Sequence, residues 1–376
     1  MEKVYDVAVV GGGLAGLAAS IQLAKRGHSV IVFEKEKYPF HKVCGEYVSM
    51  ESWNFLMELG MPLHEMQLPV IDTLFLTAPN GKSFTTALPL GGFGISRYRL
   101  DLNLANIAKQ NGVHLTDQTK VDNISFNEQF TIHFQSEKIT SKLCLAAWGK
   151  RSNFDVKWKR NFLESAPRRL DNYVGIKYHI KTNWKKNVIG LHNFENGYCG
   201  ISKIEDDAFC LCYMTKAENL KRAGNDIQHL QEQLLYTNPH IRKIFSESQV
   251  SMEFPITISQ INFTNKTLAE NHVLMLGDAA GMITPLCGNG MSIALHTSKI
   301  AAALSSDFLS GKISMQQMEM LYQQQWNHYF FRRLRTGRRL QHFFGSNRLS
   351  NLFVSTFKAF PLLSKPVIRM THGKPF

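Results

Sequence analysis

Three glycines and one acid carry the first recognisable chemistry in this chain. Gly11, Gly13 and Gly16 form a G-x-G-x-x-G turn between the apolar run Asp6–Val10 and a helical run that follows it. Gly11 permits the tight turn, Gly13 lets backbone N–H groups approach a pyrophosphate, and Gly16 allows helix and strand to touch. The phosphates then sit at the positive end of the helix. A second apolar run ends in Glu34, whose carboxylate can bind ribose hydroxyls. Strand, turn, helix, strand and acid occur in the right order and spacing. They predict a dinucleotide site formed by Gly11, Gly13, Ala15, Gly16 and Glu34.

A second constellation lies at residues 273–291. The apolar run Val273–Leu276 leads into Gly277-Asp278, a loop containing Pro285, Gly288 and Gly290, and a helix from about Met291. An acid at the end of a buried strand can hold a sugar-like hydroxyl. Glycines at a helix N-terminus expose N–H groups that stabilise negative charge on a reduced ring. This segment resembles the Gly-Asp motif of the flavoprotein hydroxylase and geranylgeranyl reductase superfamily. The resemblance implies that FAD is the dinucleotide, with Asp278 at its ribityl chain and pyrophosphate, and Gly288, Gly290 and Met291 near its ring.

Two further stretches extend the resemblance. Lys42-Val-Cys44-Gly45-Glu46 matches a basic residue, Cys, small residue and Glu that geranylgeranyl-reductase-like flavoproteins carry beside the flavin. Gly94-Ile-Ser-Arg97-Tyr-Arg-Leu-Asp101 resembles the family's Arg-x-x-Leu/Phe-Asp segment, in which the Arg lies along the cofactor. Val121 matches a residue whose backbone meets the adenine. Lys42, Cys44, Gly45, Arg97 and Val121 thereby join the implied cofactor-binding set, and Cys44 and Glu46 become the implied catalytic residues. The hydroxylases carry an Ala-Asp-Gly segment near mid-chain; here Trp148-Gly149 stands in its place. That departure leaves FAD binding intact and puts transfer from a nicotinamide in doubt.

The elements that must position these residues follow from the motif order. The expected fold is α/β: a Rossmann-like FAD-binding domain in three pieces (1–66, 98–165 and 265–310) interleaved with an antiparallel β-sheet substrate domain (67–97 and 166–264). Runs of strand character fall at Thr73–Leu76, Tyr173–Ile180, Asn187–Asn193, Phe209–Met214 and Ser251–Thr257, and Glu218–Tyr236 has helical period. Gly197-Tyr198-Cys199-Gly200 reads either as an element facing the substrate cavity or as a hairpin turn. Six cysteines without C-x-x-C pairs or zinc spacing predict buried thiols and no metal. The N-terminus enters the first strand at once, so no signal peptide is expected. No apolar run reaches the ~18 residues of a spanning helix.

Residues 311–376 form a basic C-terminal helical segment. Formal net charge is +13, and Met320–Phe376 holds ten Lys/Arg and no Asp or Glu. Arg332, Arg333, Arg335, Arg338 and Arg339 precede Leu349, Leu352, Phe353, Phe357 and Phe360, spaced for one helical face. Such a segment can lie on an anionic membrane or cap the protein's own cavity with solvated arginines. No nucleic-acid-binding motif accompanies the charge.

The expected function is FAD-dependent oxidoreduction of an apolar prenyl, lipid or polyketide-like substrate. The preferred chemistry is hydride transfer from reduced flavin to a double bond, with NAD(P)H as a transient donor because the single glycine fingerprint is taken by FAD. A flavin monooxygenase hydroxylating an aromatic or polyketide substrate is the alternative. A non-catalytic flavoprotein at a membrane surface is the reading from another class. Halogenation is disfavoured, because the chain lacks a Trp-x-Trp-x-Ile-Pro segment. The expected location is cytoplasmic, with peripheral contact to the inner face of a membrane.

Overall fold

The structure, a computed structural model, describes residues 3–164, 172–344 and 346–376. The expected boundary at 165/166 lies outside the described residues. The apolar runs of the first motif become the centre of one sheet. Its main path runs Ala269–Glu270, Val273–Met275, Glu137–Ala146, Val4–Val10, Val30–Phe33, His114–Thr116. All of these pairings except the first are parallel. Val4–Val10 and Val30–Phe33 are buried on both faces where they pair, which is why their sequence is continuously apolar. Helices Leu14–Lys25, Arg97–Gln110 and Gly290–Leu309 pack over this sheet. The C-terminal ends of Val4–Val10, Glu137–Ala146 and Val273–Met275 all point at one crevice, where ligands of open α/β sheets bind.

A second sheet carries the β-rich runs. Its order is Gln249–Val250, Tyr173–Lys181, Phe209–Lys216, Gly197–Lys203, Val188–Phe194, Val70–Thr77, Ser83–Gly94, Tyr47–Ser49. It differs from the expected antiparallel sheet at one join, where Val188–His192 runs parallel to Thr73–Thr77. Tyr47–Ser49, expected in the cofactor domain, pairs with this sheet instead and ties the two together. The expected strand Ser251–Thr257 is displaced: Pro255 offers no N–H to a ladder, and the strand starts at Ile256. The expected helix Glu218–Tyr236 is broken into Ala217–Arg222 and Ile227–Gln233. Gly224 (φ +71°) stops the first, and the Asp226 carboxylate caps the second by accepting from His229 N–H at 2.8 Å.

The C-terminal segment is no appendage. Helix Met315–Phe344 buries Met318, Tyr322, Trp326, Phe330 and Leu334 at fourth-residue spacing in the main core. The Tyr322 hydroxyl donates to Met275 O at 2.6 Å. Helix Asn347–Ala359 then crosses to the second sheet. The expectation of one apolar face is corrected here. Val354 and Phe357 are buried and Phe353 packs inward, whereas Leu352 and Phe360 are exposed on the other side. The arginine cluster divides in the same way. Arg333 is buried against Glu51 (2.9 Å) and Arg338 donates to Asn265 Oδ1 (2.7 Å), while Arg332, Arg335 and Arg339 face solvent. Among the described residues, no helix is long and apolar enough to cross a membrane.

Candidate active site

The three glycines of the first motif do different work. Gly11 has φ +109°, and a side chain there would overlap the Ala147 carbonyl. A side chain on Gly16 would overlap the Gly11 carbonyl oxygen. Those two are packing requirements. Gly13 is the functional one: the atoms nearest to where its side chain would stand are Lys42 Nζ at 3.4 Å and Arg97 Nη2 at 3.8 Å. Two cations therefore face the exposed backbone at the N-terminus of helix Leu14–Lys25.

Asp101 holds both cations. It receives Arg97 Nε at 2.8 Å and Nη2 at 2.7 Å, and Lys42 Nζ lies 3.1 Å from it. Burial opposes its charge, but Arg97 and Lys42 outweigh burial and keep the carboxyl below its ordinary range. Two cations against one carboxylate leave one net positive charge, to which the helix terminus adds. That is a fit for a pyrophosphate. Glu34 stands at the same loop, accepting from Gly12 N–H at 3.0 Å and Glu36 N–H at 3.1 Å. Thr119 N–H donates to Glu34 O at 2.8 Å, which brings the start of strand Val121–Asn127 alongside.

Asp278 sits on the far side of the crevice, where strand Val273–Met275 ends. Burial raises its pKa, with Lys266, Arg97 and Lys150 in electrostatic reach pulling it back. Lys266 donates to Asp278 O at 2.8 Å and to Lys150 O at 2.6 Å, and burial lowers both lysines to about 8. Gly288 adopts φ +66° against the ring of Tyr47, and Gly290 opens helix Gly290–Leu309, in whose first turn Met291 is buried. Gly13, Lys42 and Arg97 are thus gathered together, with Asp278 in electrostatic reach of Arg97, and these residues fit FAD. Trp148 fills the place of the missing Asp by packing, stacked on Phe154 at 5.2 Å and edge-on to Trp158 at 5.5 Å.

The loop 42–46 is pinned to the second sheet from beneath. Lys177 Nζ donates to Lys42 O (3.2 Å), the Cys210 thiol to Cys44 O (3.2 Å) and the Ser202 hydroxyl to Gly45 O (2.9 Å). Glu46, at φ +55°, has both carboxylate oxygens occupied. Lys177 and Arg97 N–H (2.8 Å) donate to Oε1, and His179 bonds Oε2 at 2.6 Å. Burial opposes the Glu46 charge, yet His179 and Lys177 hold its pKa below the usual range. Cys44 carries a thiol that burial pushes up, so it is protonated at neutral pH. Sequence reasoning missed Lys177 and His179, because these partners of Glu46 lie more than 130 positions away on a strand with no motif of its own, and it took Cys210 only as a buried thiol. Glu46, His179 and Cys210 also bring metal-ligand types within 4.8 Å of one another, but the Lys177 ammonium already neutralises the carboxylate there.

Gly288 also borders an apolar chamber of about 90 Å³. Leu74, Leu76, Ile189 and Leu191 of the second sheet form one wall, and Leu340, Phe344, Phe353, Phe357 and Ile368 of the tail form the other. Leu286, Cys287 and Gly288 close the end nearest the cofactor crevice. Tyr198, from the Gly197–Gly200 stretch, is buried in the same cluster within electrostatic reach of Cys44 and Cys287, on strand Gly197–Lys203 rather than in a turn.

Comparison with known proteins bears on both halves of this arrangement. A family model described as "FAD binding domain" matches residues 6–41, and one described as "Squalene epoxidase" matches residues 171–364, more than half of the chain. The chain belongs to the squalene epoxidase family. It is an FAD-dependent oxidoreductase of the geranylgeranyl-reductase-like flavoprotein superfamily. Conditioned medium factor receptor 1 of Dictyostelium discoideum is 26% identical over 86% of this chain and 68% of its own length. Digeranylgeranylglycerophospholipid reductase of Methanococcus vannielii is 26% identical over 88% of this chain and 85% of its own. Among solved structures, a flavin-dependent brominase superposes with a TM-score of 0.81 at 16% identity, covering 98% of this chain and 93% of that one; this shows a shared fold.

Proposed function

We propose that this flavoprotein reduces a carbon–carbon double bond of a prenyl-type lipid. The observation that carries the reading is the apolar chamber bordered by Gly288, whose oxygen-poor lining suits a hydrocarbon group. The reductase from Methanococcus vannielii, similar over most of both chains, supports this choice of substrate. FAD, held by Gly11, Gly13, Ala15, Gly16, Glu34, Lys42, Arg97, Val121, Asp278, Gly288 and Gly290, supplies hydride chemistry when bound. A protonated Cys44 thiol, on the loop between crevice and sheet, is the group placed to donate a proton or hydrogen bond beside the reacting carbons. The Glu46 N–H donates to Cys44 Sγ at 3.4 Å, and its carboxylate, with both oxygens engaged, fixes the loop. NAD(P)H is the transient donor. The second reading, oxygenation of the same apolar substrate, is supported by the squalene epoxidase match.

The two chemistries separate by product. Reduced enzyme incubated without O₂ with a polyprenyl lipid is expected to yield product that has gained two hydrogens. A product that has gained one oxygen atom, formed only in air, would replace the reductase reading with the oxygenase one.

We further propose that the tail rests on a membrane where such a lipid partitions. Leu352, Phe360, Leu362 and Leu363 are more than half exposed beside the basic residues Arg348, Lys358 and Lys365. Sedimentation with anionic vesicles should fall when Leu352, Leu362 and Leu363 are changed to Ser. Unchanged sedimentation would leave these residues as an exposed cover on the chamber.

A further inference from the structure

One basic groove takes no part in the crevice or the chamber. Helix Met315–Phe344 presents Phe331, Arg335, Arg338, Arg339 and Phe343 toward Asn265, bordering an open groove of about 470 Å³. Phe331 and Phe343 are 45% and 44% exposed, an unusual state for two phenylalanines of one helix. Arg338 is fixed by its bond to Asn265 Oδ1, while Arg335 and Arg339 have no hydrogen bond or ion pair among the described residues. The one acid of their own helix, Glu319, lies sixteen positions before Arg335 and bonds His272 at 2.9 Å, and Met320–Phe376 contains no other. Across the groove the next residue, Lys266, turns its ammonium away from the groove, onto the Asp278 carbonyl at 2.8 Å. The groove wall is therefore one residue from the cofactor crevice.

The dimensions are informative. Phe331 and Phe343 are twelve positions apart, roughly 18 Å along the helix axis, with the three arginines between them. Guanidinium groups grip phosphate oxygens in pairs, and an exposed aromatic ring stacks on a flat heterocycle. The chain has a single glycine fingerprint, so a second nucleotide must be bound elsewhere than on a Rossmann loop.

We propose that this groove is the binding site for the phosphorylated adenylate half of the nicotinamide donor. Arg335, Arg338 and Arg339 hold its phosphates, and Phe331 or Phe343 stacks on its base. The inference rests on reading the chain as a flavin oxidoreductase that needs a transient donor, and it adds where that donor docks. It also favours a donor with an additional phosphate, since three arginines exceed what one phosphodiester pair engages.

The test is calorimetric titration of the FAD-loaded protein with 2′,5′-ADP, 5′-AMP and inorganic phosphate, alongside sedimentation with anionic vesicles. The expected result is that 2′,5′-ADP binds about ten-fold or more tightly than 5′-AMP, in keeping with one additional charge-assisted contact. Arg335→Gln/Arg339→Gln should erase most of that preference, with FAD content and unfolding midpoint unchanged. Phe331→Ala/Phe343→Ala should weaken the nucleotide but not inorganic phosphate. Arg335→Gln alone, at an exposed side chain, guards against misfolding of the double variant. Absence of nucleotide binding by yellow, FAD-replete protein would overturn the groove and leave the flavin reading standing. So would inorganic phosphate binding as tightly as 2′,5′-ADP, or loss only of vesicle binding in the arginine variants. Protein that takes up no FAD would instead overturn the flavin reading itself.

Discussion

The cradle around Gly13 and the chamber under the tail, bordered by Gly288, are built in opposite ways. The cradle is polar and short-range. Its glycines, Glu34 and Lys42 come from one stretch of 32 residues, and Arg97 and Asp101 lie four apart on a single helix turn. The chamber is apolar and long-range, walled by strands from residues 70–77 and 188–194 and by helices beyond residue 315. Phosphate binding needs fixed dipoles and charges, which a local turn can fix in place. A lipid chain needs only excluded water and room, which any packed set of apolar side chains supplies. Changes in the cradle should therefore act through single atoms, and changes in the chamber through volume.

The largest effect is expected within the glycine motif. Gly13→Val places a branched side chain between the backbone and the two cations, so purified protein should fold and carry no FAD. Gly16→Val, which collides with the Gly11 carbonyl, should lose folded protein altogether. Circular dichroism and flavin absorbance on both variants separate the two roles. Equal loss of folding in both would make Gly13 another packing glycine.

A smaller effect is expected in the chamber. Phe357→Ala deletes a buried ring that packs, tilted, against Phe353 in the tail cluster with ring centres 4.2 Å apart. Unfolding free energy should fall by about 3 kcal/mol, the usual cost of truncating a buried aromatic. FAD content should stay the same, and KM for a prenyl substrate should rise more than kcat falls. Denaturant titration and steady-state kinetics measure both, and FAD loss in this variant would show that cradle and chamber are not separable.

Legibility followed the same division. Gly11 through Glu34 could be singled out because their spacing has a physical reason, Asp278 because an acid ends a buried apolar run, and Arg97 only through the family resemblance. Asp101 stood at the end of such a motif, but its role as the clamp on Lys42 appeared only in three dimensions. Glu46 could be singled out, whereas Lys177 and His179 could not, since a strand that buries a lysine beneath a distant carboxylate leaves no periodic signal. The tail misled most. Its arginines and aromatics are spaced like a surface helix, but Arg333 pairs with a buried Glu51 more than 280 positions away and Phe357 turns inward. Burial on both sides of a helix, set by two different partners, is a tertiary fact that helical spacing does not encode.

Whether cradle and chamber form one site joined at Gly288 is read most directly from the visible absorption of FAD-loaded protein titrated with a polyprenyl lipid. A saturable shift of the flavin band is expected, because the chain's end reaches the loop beside the ring. Leu191→Trp, which fills the chamber without touching the cradle, should lose that shift. A flavin spectrum that stays unchanged while the lipid demonstrably binds would contradict a joined site.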